Sequence, residues 1–199
     1  MTTGHAAEIG GKAVLLQAAR AELIEHGHAA ISLRAVARRG GVSHAAPKYH
    51  FQDRAGLLTA VAADGFRDLT AALRRRKDSL EQLGRAYIDY GLAHPALFDL
   101  MFRPSELHTD DPDLQRAQGE AIGVLSSVAA RIAPSEPLPG TVPDAAPSLA
   151  LMSWAFVHGL VVLARNGALN ASTGSVDSQD AAKLAHALND VFTHSIARP

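Results

Sequence analysis

Cysteine is absent from the 199 residues, which removes any disulfide framework, thiolate nucleophile or thiolate zinc site. Aromatic side chains make up only 5% of the chain, with one Trp, three Tyr and six Phe, so the places where they gather are informative. The amino-terminal stretch shows no apolar h-region, and no unbroken run of about 18 apolar residues is read along the chain. A protein that is neither exported by that route nor membrane-spanning is expected, and with it a cytoplasmic location. Also missing are a Gly-x-Ser-x-Gly elbow, a Gly-x-Gly-x-x-Gly loop and a phosphate-cradling glycine loop ending in Lys. The ten histidines are scattered, with no His-x-x-x-His pair bracketing a carboxylate. These absences take away the common hydrolase, nucleotide and metal chemistries. A non-enzymatic protein without cofactor or metal is expected.

What is present is lopsided. The net charge of -1 conceals a first part, residues 1–77, with 12 Lys and Arg against 6 Asp and Glu, and a second part, 78–199, with 7 against 14. A basic half joined to an acidic one predicts that the first meets a polyanion and the second does not. The run Arg74-Arg75-Arg76-Lys77 also reads as a solvated helix end, where cations suit the dipole. That reading does not account for the whole asymmetry.

Residues 32–58 carry the densest local information. Leu33, Val36 and Ala37 fall at helical spacing, and Ala37 is small enough for another helix to cross nearby. Gly41 can adopt the left-handed backbone that a sharp helix-to-helix turn requires. Val42 is read as the buried turn residue, and Ser43 as the N-cap of a second short helix. The pattern is that of a helix-turn-helix, with short helices at about 32–39 and 43–50. A first helix precedes it over about 10–26, with Leu15, Leu16, Ala19 and Leu23 on one face. A longer helix follows the N-cap candidate Asp53, reaching about 76 through Leu58, Val61, Ala62, Phe66, Leu69 and Leu73.

The second half repeats the helical period without β-alternation or internal repeats. Leu80, Leu83, Ala86, Tyr87 and Tyr90 mark a helix ending at His94-Pro95, and Leu97, Phe98, Met101 and Phe102 mark a short one over about 95–103. Asp110-Asp111-Pro112 opens another that runs to about 132. Residues 134–147 contain five prolines and read as a loop. Ser148–Ala168 is almost uniformly apolar, whereas Asp177–Ile196 is amphipathic, with Leu184, Leu188, Val191 and Phe192 on one stripe. The expected class is all-α, with about nine helices. It divides into a helix-turn-helix domain over 8–54, a connecting helix over about 54–76 and a second domain over 78–196.

The first-half frame continues after the turn with His50-Phe51, Asp53-Arg54 and Leu57-Leu58. Across residues 10–66 it resembles the amino-terminal domain of TetR-family transcriptional regulators. Two positions depart from the family pattern: Lys48 stands where Tyr is usual, and Pro47 where Leu is usual. In the second half, Trp154-Ala-Phe-Val-His158-Gly159 resembles the tryptophan-histidine-glycine signature of one branch of that family. The stretch from His94 to Phe102 resembles the same branch's helix junction. The resemblance implies a homodimer that binds double-stranded DNA at a palindromic operator, most simply a repressor.

The candidate DNA contacts follow from this frame. Ser43, His44 and Ala45 sit at the amino end of the recognition helix, where base edges are reached, and Lys48, Tyr49, His50 and Arg54 are candidates for phosphate. Ser32 and Arg34, at the start of the preceding helix, join the set, with simple N-capping an equal role for Ser32. Phe51 is read as core.

An all-round apolar helix must be covered on every side. Part of 148–168 is therefore expected to meet a second copy, with Leu160, Leu163, Leu184, Leu188 and Phe192 as interface residues. Mid-helix Gly159 is read as a close helix crossing. The aromatics suggest a pocket lined by Tyr87, Tyr90, Phe98, Met101, Phe102, Trp154 and His158 for a small, partly apolar effector. The same side chains also read as plain core, and His158 as a hydrogen-bonded core or interface histidine. The alternative kept open is a ligand-independent DNA-binding protein whose second domain only dimerises.

Overall fold

Side-chain caps set most of the helix starts. The computed structural model describes residues 3–132, 145–173 and 177–196. Among these, the helices are α1 (Thr3–His26), α2 (Leu33–Arg39), α3 (Ala46–Phe51), α4 (Arg54–Arg74), α5 (Leu80–Ala93), α6 (Pro95–Met101), α7 (Pro112–Ile132), α8 (Ala145–Arg165), α9 (Ala168–Thr173) and α10 (Ser178–Ile196). Short 3-10 turns occupy His28–Ala30 and Pro104–Glu106. The all-α class is as expected, with ten α-helices among the described residues.

Ser32 Oγ accepts the Ala35 N–H at 3.1 Å, Ser79 Oγ that of Gln82 at 3.2 Å, and Asp53 Oδ1 that of Gly56 at 2.7 Å. Asp111 Oδ1 takes both the Asp113 and Leu114 amides at 2.9 Å. Each satisfies a first-turn donor that the helix leaves unpaired.

Four expectations about element bounds need correction. The first helix begins at Thr3 rather than near residue 10. The recognition helix begins at Ala46, not after Ser43. With Ser43 as N-cap, the first helical donor would fall on Pro47, which has no N–H; proline fits only in the first turn, and Pro47 stands there. The apolar stretch 148–168 is not one helix, because Gly167, at φ 79, ends α8 and α9 follows it. Of the proline-rich loop expected over 134–147, residues 134–144 lie outside the described residues, and Ala145–Pro147 already belong to α8.

The chain forms two compact units, residues 1–67 with 96–118, and 68–95 with 119–199. In the first, Leu15, Leu23, Val36, Ala37, Phe51, Leu57, Leu58 and Val61 are buried, together with Phe98, Leu100 and Met101 of α6. Ion pairs tie its helices. Arg20 meets Asp64 at 2.6 Å, joining α1 to α4. Arg39 spans Glu22, at 2.6 Å, and Glu25, joining α2 to α1. Arg67 bonds Asp113, joining α4 to α7.

In the second unit α8 packs against α5 and α10, which also pack on each other. Val157, Leu160 and Val161 face inward with Leu83, Ile88, Ala181 and Ala185. The opposite side of α8 is uncovered among the described residues, with Leu151 60% and Met152 59% exposed. Over Ser148–Arg165 this helix is long and apolar enough, by length and composition, to cross a membrane, with a mean hydropathy of 1.5. Here it packs as a half-covered helix.

Candidate nucleic-acid interface

The helix-turn-helix is built by short-range rules. Ser32 caps α2; Gly41, at φ 64, reverses the chain after it; and the Val42 N–H bonds the Ala37 carbonyl at 3.1 Å, closing the turn. Val36 and Ala37 are fully buried, so α2 has one inward face and one outward face. In α3, Pro47 and Phe51 point inward. The Lys12 ammonium lies 5.9 Å from the centre of the Phe51 ring, within cation–π reach.

What remains outside is the set of interest. Ser43, His44 and Ala45 are exposed in the turn leading into α3, as are Lys48 and Tyr49 on the helix itself, with Tyr49 71% exposed. His50 is half-buried, its ring meeting Tyr49 edge-on at 5.1 Å. Ser32 and Arg34 are exposed at the start of α2.

Charge sorts the arginines of residues 3–67 into two groups. Arg20, Arg39, Arg54 and Arg67 are committed to carboxylates within the unit. Among the described residues, Arg34, Arg38 and Lys48 enter no ion pair and are exposed on α2 and α3. Arg38 was not singled out from sequence. The available signal was its position four residues after Arg34, which places both on one helix face.

Arg54 is the sequence-predicted phosphate contact that the structure turns elsewhere. Its guanidinium donates to the carbonyls of Ile31 (3.0 Å) and His28 (2.7 Å) and pairs with Glu106 at 2.6 Å. It fastens the start of α4 to the turn before α2.

The aromatic set divides between the units. In the second unit, the Trp154 indole N–H donates to the Tyr87 hydroxyl at 3.1 Å, and that hydroxyl lies 2.9 Å from His158 Nδ1. The Tyr87 hydroxyl, accepting from Trp154, keeps both its own proton and a second lone pair, so either tautomer of a neutral His158 closes the hydrogen bond. Burial lowers the His158 pKa and raises that of Tyr87, which keeps both groups uncharged. Tyr90 is also buried there, its ring 4.8 Å from that of His94. In the first unit, Phe98 and Met101 are buried; the Phe98 and Phe66 rings lie 4.9 and 5.5 Å from that of Phe102.

Of the expected interface residues, Leu160 is buried in the chain's own core at 4% exposure, because its side of α8 faces α5 and α10. Leu163 is 42% exposed, and Leu184, Leu188 and Phe192 are half-buried. Phe192 stacks on Phe156 with ring centres 4.3 Å apart. Among the described residues no neighbouring group comes within 4 Å of a Cβ built on Gly159, so the close crossing expected at that residue does not occur among them.

All-helical among the described residues, with a capped helix-turn-helix and a second helical unit, the fold is of the class found in helix-turn-helix regulators. Two family models match it. One is described as bacterial regulatory proteins of the tetR family, over residues 15–61, and the other as the tetracyclin repressor-like C-terminal domain, over residues 80–190. The chain belongs to the TetR family.

A Mycobacterium bovis protein named as an HTH-type transcriptional regulator is 28% identical over 100 residues. The match spans 46% of this chain and 43% of that relative, less than half the length of each. A solved structure from Rhodococcus sp. RHA1, described as of unknown function, is 29% identical with a TM-score of 0.74, covering 94% of this chain and 96% of its own. A TetR-family transcriptional regulator from Pectobacterium atrosepticum matches over 98% of both chains, with a TM-score of 0.63 and 20% identity. The last likeness concerns the fold alone.

Proposed function

We propose that this protein is a homodimeric, DNA-binding transcriptional regulator, a repressor released from a palindromic operator by a small, partly apolar ligand. The observation that carries this reading is the separation of cations in the first unit. Of the six arginines in residues 3–67, four are consumed by internal carboxylates, while Arg34 and Arg38, with Lys48, stay exposed beside the turn and recognition helix. Exposed cations at such positions neutralise phosphate and set affinity, whereas the side chains entering the groove set specificity. Ser43, His44 and Ala45 are assigned to base edges, and Lys48 and Tyr49 to phosphate, with Arg34 and Arg38 joining them. Ser32 keeps its capping role.

The proposed reading head covers 8–54 and the regulatory and dimerisation domain 78–196, in a cytoplasmic protein without enzymatic activity. The uncovered face of α8, with Leu151, Met152 and Leu163 exposed beside open Gly159, supports burial against a second copy. Trp154, His158 and Gly159 support placement in the tryptophan-histidine-glycine branch. The hydrogen-bonded group of Tyr87, Trp154 and His158 supplies the polar handles that an apolar effector needs for orientation. The ligand-independent reading is favoured by one observation: Tyr87, Tyr90, Phe98 and Met101 are each at most 6% exposed, as in plain core. Selecting bound fragments from genomic DNA tests the first reading; recovery of one palindromic motif supports it, and unselective recovery refutes it. Thermal stability against a metabolite panel then separates the two, since ligand at 100 times its Kd adds about 2.7 kcal/mol.

A further inference from the structure

Among the described residues, Gln52 is the one non-glycine with a positive φ, at φ 66 and ψ -57. The Asp53 N–H bonds the Phe51 carbonyl across it at 2.8 Å. This is a γ-turn of the positive-φ kind, which is rare and strained. The same carbonyl presses on Gly56, where a Cβ would stand 2.1 Å from the oxygen. Recognition helix α3, only six residues long, hangs from this turn.

A segment from far along the sequence grips the junction at three points. The Glu106 carboxylate takes Arg54, whose other donors hold the His28 and Ile31 carbonyls. His108 Nε2 lies 3.1 Å from Asp53 Oδ1, the oxygen that also caps α4. The His108 backbone N–H donates to Thr59 Oγ1 at 2.9 Å, and that hydroxyl donates to the Ala55 carbonyl at 2.7 Å. The Gly56 amide and then His108 hold the Asp53 carboxyl below its usual pKa, and Arg54 does the same for Glu106, so both grips keep their negative charge. All of these groups lie within the first unit.

We propose that Pro104–His108 is a clamp that holds the strained turn and fixes the angle of α3 on α4, with Glu106 and His108 as positioning residues. The clamp stands on geometry alone; its consequence for DNA rests on the regulator reading.

The test uses the full chain and amide hydrogen exchange. The reporters are the Tyr49 and Gln52 amides of α3, bonded to the Ala45 and Lys48 carbonyls at 3.1 and 2.9 Å. The control is the Gly27 amide at the end of α1, bonded to Leu23. The His108 side chain is 45% exposed and that of Glu106 27% exposed, and neither belongs to the buried core, so these substitutions leave it intact. The combined Glu106→Gln and His108→Ala variant speeds exchange at Tyr49 and Gln52 about tenfold relative to Gly27, the scale of one charge-assisted hydrogen bond. Adding Gln52→Gly, which removes the strain, restores much of the protection. Equal acceleration at Gly27, no acceleration, or no restoration overturns the clamp.

Operator affinity falls about tenfold in the combined variant while its salt slope stays unchanged, because no phosphate contact is lost. If exchange behaves as stated but the wild-type protein binds no genomic fragment, the regulator reading fails and the clamp stands. If operator binding is found but exchange does not change, the clamp alone fails.

Discussion

Substituting Gly84→Ala should unseat α10 from α5. A Cβ at residue 84 would stand 1.9 Å from Asn189 Oδ1, 2.7 Å from its Cγ and 3.0 Å from Nδ2. Asn189 is completely buried, so its amide has no solvent to move into. It also donates to the Glu81 carbonyl at 3.1 Å, a bond that any displacement breaks. Overpacking costs about 1–3 kcal/mol, and the lost hydrogen bond about 1 kcal/mol. Alanine's better helix propensity returns about 1 kcal/mol. The net loss is about 1–3 kcal/mol, or a fall in Tm of roughly 3–10 °C for a chain of this size.

The paired change gives the reasoning its sharpest form. In an Asn189→Ala background the space beside residue 84 is open, and the unpaired buried Asn189 Oδ1 is gone. Gly84→Ala then becomes neutral or stabilising, giving a coupling of about 1–3 kcal/mol between the two sites. Thermal denaturation of the four proteins, followed by circular dichroism, measures this. A Gly84→Ala protein as stable as wild type, or two changes that merely add, would refute the account of the seam.

His44→Ala should change which bases are preferred in a selected-fragment experiment while leaving the salt dependence intact, because His44 precedes α3 on its exposed side. Leu163→Arg should yield monomers in sedimentation with nearly unchanged thermal stability, since Leu163 is exposed; Leu160→Arg should instead unfold the chain, because Leu160 is core. Gly159→Ala should weaken the dimer although no group among the described residues opposes a Cβ there. The lowered pKa of His158 gives a signed pH effect. Burial favours its neutral form, so its stabilisation is complete above the usual value of 6.5 and is lost as pH falls from there through the lowered folded value. The Tm difference between wild type and His158→Gln should therefore shift against wild type between pH 7.5 and the acid side of roughly 6.5; a pH-independent difference contradicts a buried neutral histidine.

The helix-turn-helix was readable from sequence because its determinants are local. Ser32, Gly41 and Asp53 act through bonds or dihedrals within a few residues of themselves, and all three behave as expected. The start of α3 was misplaced although its signal was also local, since Pro47 cannot donate the first helical bond that a Ser43 cap would require. Asn166-Gly167 likewise marked the end of α8. The roles of Arg54 and Leu160 were of another kind. Arg54 turns inward because Glu106, 52 residues away, comes to meet it, and Leu160 faces inward because α5 and α10 occupy that side of α8. Periodicity identifies an apolar face but not its partner. The α3–α4 γ-turn left no trace in composition, since glutamine is not a residue that announces positive φ.

The central claim is that the exposed cations of α2 and α3 meet DNA phosphate. The most direct measurement is the salt dependence of binding to a selected genomic fragment, for wild type and for a protein with Arg34, Arg38 and Lys48 all changed to Ala. Each lost phosphate contact lowers the slope of log affinity against log salt by about 0.9, so three per protomer remove roughly 5 units from a dimer. The account predicts that loss with sequence preference retained. An unchanged slope, with affinity equal to wild type at every salt concentration, would contradict it.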